Sequence, residues 1–177
     1  SWAETFVVLE THVLAVRDRL RAAGALEAEE EFAIGLRLSA VAARELLEGG
    51  NLAEFKEWLA ATNTYVFTIN GFPFGRFHGG PVKEKVYSPD WTSAERLTYT
   101  NRLFDLLAQL VPAGIEGSVS TVPGSFKEFI NSPEQLREIR KNIFSCAEHI
   151  ARLSERSGRK LHLGLEPEPL CLLETSG

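Results

Sequence analysis

The feature that most constrains the fold is a regular alternation of helix-like and strand-like segments along the chain. Short apolar or β-branched segments are separated by longer segments in which apolar residues recur every three or four positions. Strict alternation of this kind predicts a parallel sheet with helices packed outside it. The predicted strands are residues 32–38, 65–69, 117–122 and 161–165.

Capping patterns mark the starts of three predicted helices. In a capping box, a Ser or Thr side chain and a Glu or Gln three residues later each satisfy a free backbone N–H group at the helix start. The last long helix also has Pro133 at its first position, where proline is well tolerated. The predicted capping pairs are Ser1 with Glu4, Thr92 with Glu95, and Ser132 with Gln135.

The spacing of the strands leaves two architectures open. The strands begin roughly 30 to 50 residues apart, and eight such units would close a (β/α)8 barrel. Four units form either an open doubly wound sheet or about half of a barrel. No GxGxxG or Walker A sequence follows a predicted strand, so the nucleotide-binding versions of the open sheet lose support. We predict a single α/β domain over residues 1–177.

Composition excludes several classes of protein. The chain is 44% hydrophobic and 24% charged, with a net charge of −5, and its basic residues are scattered, so we expect no nucleic-acid partner. No apolar run approaches the roughly 20 residues that span a bilayer. Cys146 and Cys171 form no CxxC pair, which favours a reducing, cytoplasmic setting. The chain lacks Met entirely and ends directly after a strand and loop, so we expect a fragment; its oligomeric state is left open.

Polar residues lie at the carboxyl end of every predicted strand. In both candidate architectures, ligands bind outside this end of the strands. One polar strand end would carry little weight, but four in succession indicate the lined mouth of one site. The strand ends read Arg37-Leu38-Ser39, Asn70-Gly71, Ser120-Thr121 and Glu166-Pro167-Glu168.

Glu166, in the stretch GLEPEP, is the sharpest candidate among these residues. A carboxylate at such a strand end is a hard oxygen ligand for Mn²⁺ or Mg²⁺, or a base if burial raises its pKa. The alternative is a structural Glu that caps the next helix or pairs with Arg37. Glu168 and Glu174 have weaker claims, because either side chain could face solvent.

The loop NGFPFGRFHGG, which follows the second strand, is the other concentration of chemistry. Its aromatic residues could wall a pocket and stack on the apolar faces of a sugar-like ligand, or they could form a small hydrophobic cluster of their own. We predict that Asn70, Phe74 and His78 contact the substrate, although a loop histidine is often a simple hydrogen-bonding residue. Lys83 and Lys85 could meet an anionic group or be solvated surface residues.

Four segments resemble the EboE family of bacterial metabolite-traffic proteins. That family belongs to the xylose isomerase-like TIM-barrel superfamily of sugar isomerases, epimerases and endonuclease IV-type enzymes. The resemblance runs over nearly the whole chain, and the aromatic loop and the LEPEP segment are its most specific parts. The segments are YVFTINGFPFGRFHG, VKEKVYSPDW, GSVSTVPGSFK and LGLEPEPLCLLET.

The resemblance implies a (β/α)8 barrel of which this chain carries strands two to five with their helices. In the superfamily, a Glu that ends the fifth strand commonly binds the divalent metal and, in epimerases, helps to move a proton next to a carbonyl. Glu166 matches that position. A second Glu commonly contacts substrate, and Glu174 is its nearest match. The other usual ligands would lie beyond Gly177. EboE-type proteins are linked to the trafficking of secondary metabolites.

Two functions from different classes follow as expectations. The first is a divalent-metal-dependent isomerase or epimerase, using Mn²⁺, Mg²⁺ or Zn²⁺, that acts on a polyol or sugar-like metabolite with Glu166 as a metal ligand and candidate base. The second is a non-catalytic barrel that binds or hands on such a metabolite. Phosphodiester cleavage is disfavoured, because an acidic chain repels phosphate backbones. The predicted substrate contacts are Arg37, Asn70, Phe74, His78, Glu168 and Glu174.

Overall fold

The computed structural model describes residues 1–75 and 86–174 of the chain. Over these residues helices and strands alternate as predicted, and each strand lies within a residue of its predicted bounds at either end. A short 3₁₀ turn, Lys127–Phe129, lies in the loop between β3 and α5. The elements are α1 (Trp2–Ala22), β1 (Phe32–Arg37), α2 (Ala40–Leu46), α3 (Asn51–Ala61), β2 (Thr64–Asn70), α4 (Ala94–Leu110), β3 (Gly117–Thr121), α5 (Pro133–Ser157) and β4 (Leu161–Leu165).

The four strands form one parallel sheet in the order β1-β2-β3-β4, so neighbours in the chain are neighbours in space. One irregularity, between Ile34 and Gly35 of β1, shifts the register against β2. The predicted parallel sheet with its accompanying helices is confirmed. Within the described residues, the strand order does not reverse.

The two faces of the sheet differ in chemistry, because alternate strand residues point to opposite sides. One face packs under the helices and is apolar, with Leu36, Val66 and Val119 almost fully buried. On the other face Gly35, Arg37 and His162 are exposed. We call this second side the open face; its register-paired residues are Gly35, Thr68, Ser118 and His162 in one row, and Arg37, Asn70, Ser120 and Gly164 in the next.

Helix α4 forms the centre of the core. It packs against β2, β3, α2 and α5, and Leu103, Phe104 and Leu107 are completely buried. Burying each such side chain stabilises the fold by about 1.5–3 kcal/mol relative to leaving it exposed. The aromatic rings of α1 and α3 form a second cluster, in which Trp2 and Phe55 lie 5.0 Å apart in an edge-to-face arrangement.

The predicted capping box at Thr92 and Glu95 is wrong. Helix α4 begins at Ala94, and its N-cap is Ser93, whose hydroxyl accepts a hydrogen bond from the Glu95 N–H at 3.1 Å. The Thr92 hydroxyl donates to the Asp90 carboxylate instead. Because its hydroxyl is bonded to the Asp90 carboxylate, Thr92 does not cap the helix. The capping boxes at the starts of α1 and α5 are confirmed.

Helices α1 and α5 are the longest, with 21 and 25 residues. Both carry charged side chains along much of their length. Within the described part of the chain, no helix combines the length and the apolar character that a bilayer crossing requires.

Candidate functional site

Asn70 and Glu166 meet at the carboxyl edge of the sheet. Asn70 ends β2 and Glu166 follows β4, so β3 lies between them and their strands are roughly 10 Å apart. Nevertheless Asn70 Nδ2 donates to Glu166 Oε1 at 3.4 Å. The Phe72 N–H donates to Asn70 Oδ1 at 3.1 Å, which orients the amide. Both side chains therefore reach over the end of β3, so two of the four strand ends that the sequence assigned to one mouth are in contact.

Arg37 belongs to the same edge. It is paired in register with Asn70, which is paired in turn with Ser120. Its guanidinium is exposed and donates to the Gly75 carbonyl oxygen at 3.4 Å. The edge thus carries a cation at one end, an amide and a hydroxyl in the middle, and the half-buried Glu166 carboxylate at the other end. We call Arg37, Asn70, Ser120 and Glu166 the edge site.

Glu168 and Glu174 lie in the loop after β4, and both side chains are exposed. Glu174 forms an ion pair with Lys127 and accepts a hydrogen bond from the Leu170 N–H at 3.3 Å. The hydrogen bond from Lys127, reinforced by the Leu170 N–H and the Lys127 charge, lowers the pKa of Glu174. These contacts give Glu174 a structural role in the loop. Substrate contact by Glu168 or Glu174 stays a prediction.

The loop after β4 is bound to the loop after β3 by backbone hydrogen bonds. Lys127 N–H donates to the Leu170 carbonyl at 2.9 Å, and Leu172 N–H donates to the Ser125 carbonyl at 2.7 Å. Leu170 has a φ of 65°, a left-handed conformation that is uncommon outside glycine. Contacts on both sides of Leu170 therefore fix the backbone that follows Glu166.

The described aromatic residues of the loop after β2 pack against the protein itself. Phe72 lies 5.5 Å from the ring of Tyr87, and Phe74 lies 5.1 Å from the ring of Tyr99. Phe74 also lines a cavity of about 300 Å³, together with residues of α4 such as Thr98 and Arg102. This packing agrees with the alternative that the loop forms its own hydrophobic cluster. Contact between Phe74 and a substrate stays a prediction.

Several predicted residues of that loop fall in the range 76–85, outside the described residues. They are Phe77, His78, Lys83 and Lys85.

Arg96 is the residue near the edge site that sequence reasoning missed. Its side chain is completely buried, and its guanidinium donates to the carbonyl oxygens of Gly71, Phe72 and Pro89 at 2.7, 3.1 and 2.7 Å. Burial lowers the pKa of Arg96 to about 10, so the group is still a cation at neutral pH. Arg96 therefore fixes the backbone that directly follows Asn70. The available signal was its helical spacing with Tyr99, which places both on the buried side of α4.

Tyr99 fixes the end of β1 in a similar way. Its hydroxyl donates to the carbonyl oxygen of Leu38, directly after Arg37. Burial raises the pKa of Tyr99 to about 12, so the hydroxyl keeps its proton at neutral pH. Helix α4 thus holds the residues that follow two edge-site side chains, with Arg96 acting on β2 and Tyr99 on β1.

The residues before α4 are fastened to the end of β3. The nearly buried Asp90 carboxylate accepts hydrogen bonds from the Thr92 N–H at 2.9 Å and from the Ser125 hydroxyl. The indole N–H of Trp91 donates to the Val122 carbonyl oxygen at 3.0 Å. Asn142 of α5 donates to the Trp91 carbonyl oxygen at 2.9 Å. This network fixes the start of α4, and with it the position of Arg96.

The described residues do not fit a metal centre by themselves. Among them, no group of three or more His, Cys, Asp or Glu side chains is placed to hold a metal ion. Glu166 offers one carboxylate, while Asn70 Oδ1 is engaged by the Phe72 N–H. Mn²⁺ and Mg²⁺ take about six oxygen ligands, so one carboxylate supplies only a fraction of a site.

The fold and this edge define an α/β protein with a parallel sheet that is covered by helices on one side, while the carboxyl edge of the other side carries polar side chains. Comparison with models of protein families, with curated proteins and with solved structures finds no significant match.

Proposed function

We propose that the chain is part of a (β/α)8 barrel that binds a polyol or sugar-like metabolite at the edge site. The contact between Asn70 and Glu166 carries this proposal, because it joins two strand ends into one polar surface where parallel α/β sheets bind ligands. The strand order supports the barrel. Strands of a barrel follow one another in chain order, whereas a doubly wound sheet reverses its order at the ligand site.

The chemistry of the edge site suits a ligand that is rich in hydroxyl groups. A hydroxyl group both donates and accepts hydrogen bonds. A guanidinium such as that of Arg37 only donates, a carboxylate such as that of Glu166 only accepts, and the Ser120 hydroxyl does both. The Asn70 amide has a second Nδ2 hydrogen to donate, besides the one directed at Glu166. The charges of Arg37 and Glu166 are opposite in sign, so together they give the edge site no net charge. A site without net charge suits a neutral ligand. Neighbouring hydroxyls on a polyol can therefore be satisfied along the row.

The resemblance to the EboE family extends the proposal to a biological setting. In this extension the bound molecule is a secondary metabolite or its precursor, and the protein takes part in its trafficking. The edge-site chemistry supports the hydroxyl-rich ligand, and the setting depends on the resemblance.

The proposal is tested by binding measurements with defined polyols. Saturation-transfer NMR with linear polyols from glycerol to sorbitol would be applied to the wild type, Glu166→Gln and Asn70→Ala. Glu155→Gln is the matched control, because Glu155 is exposed on α5 and the substitution removes the same charge. Removing one partner of a hydrogen bond costs about 1–3 kcal/mol, so we expect binding to weaken about fivefold or more in the two edge-site variants and to persist in the control.

Two outcomes would contradict the proposal. One is a wild-type protein that binds no member of the series. The other is equal binding by wild type, Glu166→Gln and Asn70→Ala, which would place the ligand elsewhere.

A second candidate function is a divalent-metal-dependent isomerase or epimerase on the same barrel. The half-buried carboxylate of Glu166 at the strand end favours it, and further ligands would have to come from residues other than the described ones. Elemental analysis of purified wild type, Glu166→Gln and Glu155→Gln tests this candidate. Metal that is present in the wild type and the control but lost in Glu166→Gln would support it. Equal metal in all three proteins would remove Glu166 from any metal site.

A further inference from the structure

Gly164 lies on the open face of β4, within the edge site's own row. It is paired in register with Ser120, which is paired in turn with Asn70. It also precedes Glu166 by two residues. Glu166 follows β4, but its N–H still donates to the Thr121 carbonyl oxygen at 3.1 Å, so the strand alternation, in which residues two apart point to the same side, extends to Glu166. A side chain at position 164 would therefore stand on the open face beside the Glu166 carboxylate.

Neither the backbone nor the packing of the described residues requires glycine at this position. The φ angle of Gly164 lies outside the left-handed region, and its pairing with β3 is regular. A Cβ atom there would lie 3.9 Å from Ser120 Cα and from the Val119 carbonyl oxygen, which is ordinary contact. By contrast, a Cβ at Gly71 would lie 2.6 Å from Leu103 Cδ1. Gly71 is required by close packing, and Gly164 is not.

A glycine in a strand weakens the strand unless something else needs the space. Glycine loses more conformational freedom on folding than any other residue and contributes no side chain to packing. Apart from bulges and bends, glycine inside a strand marks a place where a ligand or another backbone approaches closely. β4 has no bulge at this point, and the nearest described backbone atoms would lie 3.9 Å from a Cβ at position 164, so no described backbone approaches closely. Close approach of a ligand is the explanation that this geometry favours.

We infer that Gly164 is a specificity-determining residue of the edge site, which leaves room beside Glu166 for the carbon skeleton of a polyol and sets how large a polyol can bind. This inference rests on the proposed function. It adds that the ligand lies against the open face of β4, over Gly164. The size of the side chain at position 164 therefore determines the largest polyol that can bind.

Graded enlargement of position 164 tests the inference. Gly164→Ala and Gly164→Val would be compared with wild type for binding of glycerol, erythritol, xylitol and sorbitol, and for thermal stability. Ala147→Leu is the control, because Ala147 is exposed on α5 and the change adds as many carbons as Gly164→Val. A single methylene group changes discrimination in a pocket by about tenfold or more. We therefore expect Gly164→Ala to weaken binding of xylitol and sorbitol by about tenfold relative to glycerol.

The expected Tm of Gly164→Ala equals or exceeds that of the wild type, since the added methyl group meets no clash. Gly164→Val would lose binding of the longer polyols altogether, and Gly164→Ala still decides the question if the Val variant fails to fold. Unchanged polyol preference in Gly164→Ala, with the wild type binding normally, would overturn this inference and leave the proposed function standing. A wild type that binds none of the polyols would overturn both.

Discussion

The guanidinium of Arg96 donates a hydrogen bond of 2.7 Å to the carbonyl oxygen of Gly71, the residue that directly follows Asn70. The same group donates to the carbonyl oxygens of Phe72 and Pro89. One buried side chain of α4 therefore holds the backbone at the end of β2. We infer that the orientation of the Asn70 amide toward Glu166 depends on this clamp, although Arg96 belongs to α4, on the helix-covered side of the sheet.

Replacing Arg96 with Lys is expected to lower the free energy of unfolding by about 2–4 kcal/mol. A lysine ammonium is compact and lacks the planar fork of a guanidinium, so it cannot serve three carbonyl oxygens at once. Each buried carbonyl oxygen left without a donor costs about 1–3 kcal/mol. Urea denaturation would show a lower midpoint with an unchanged slope. Arg156→Lys, at an exposed position of α5, is the control, and its effect should stay within about 0.5 kcal/mol. Equal midpoints for the two variants would show that the clamp contributes nothing.

Replacing Asn70 with Asp is expected to make stability depend on pH. The change would place two carboxylates about as close as Asn70 and Glu166 are now, 3.4 Å apart. Like charges raise the folded-state pKa of one group above its unfolded value. The destabilisation is then complete above the raised pKa and disappears as pH falls below about 4, the unfolded value. Because both positions are partly exposed, we expect a loss of about 1–2 kcal/mol at neutral pH.

Urea denaturation at neutral and acidic pH, beside Asn70→Ala, measures this effect. The Ala variant loses both hydrogen bonds of Asn70, whereas Asp keeps an acceptor for the Phe72 N–H. Because Ala adds no charge beside Glu166, the stability loss of the Ala variant should vary much less with pH. If the Asp and Ala variants show the same pH dependence, the side chain at position 70 does not face Glu166 in solution.

Replacing Lys127 with Met is expected to raise the pKa of Glu174. The hydrogen bond and charge of Lys127 favour the ionised carboxylate and lower its pKa in the folded protein. Because this folded-state pKa is depressed, the stabilisation from the pair is present above the unfolded pKa and is lost as pH falls through the folded value. A ¹³C NMR titration of the Glu174 carboxyl group measures the change. Lys141→Met, which removes a lysine that pairs with Glu138 on α5, should leave the Glu174 titration where it is.

Both cysteine thiols are expected to resist labelling in the native protein. Cys146 and Cys171 are free and completely buried, and burial raises the pKa of Cys146 to about 12. The thiolate is the reactive form, so a buried thiol that keeps its proton reacts slowly. A chromogenic disulfide reagent should react with 2 thiols per chain when the protein is unfolded in guanidinium chloride. It should react with almost no thiol in the native protein. Rapid reaction of either thiol under native conditions would contradict this packing.

The features that were predictable from sequence are those set by local rules. Strand positions followed from short apolar segments, and the caps at Ser1 and Ser132 followed from spacing alone. The meeting of Asn70 with Glu166 was also predictable, because the carboxyl ends of parallel strands lie at one edge.

The features that sequence reasoning missed depend on contacts between distant parts of the chain. A charged residue in a helix is usually exposed, so the helical spacing of Arg96 with Tyr99 was too weak a signal to distinguish it from a solvated side chain. Its burial depends on carbonyl oxygens that the loop after β2 brings to it. Thr92 failed as a cap for a local reason, because its hydroxyl donates to Asp90, which is only two residues earlier. The distant part of this network is Ser125, whose hydroxyl donates to the same carboxylate.

The different coverage of the two sheet faces has an evolutionary consequence. Val66 and Ile69 face the helices and are completely buried, so a change in their side-chain volume would destabilise the fold. Ser118, Ser120 and His162 point away from the helices and are at least partly accessible, so their identities can change with little penalty to folding. Under the proposed function, the residues that select the ligand and the residues that stabilise the fold lie on opposite faces of the same strands. Substitutions on the open face would then change ligand preference while the helix-covered face is preserved.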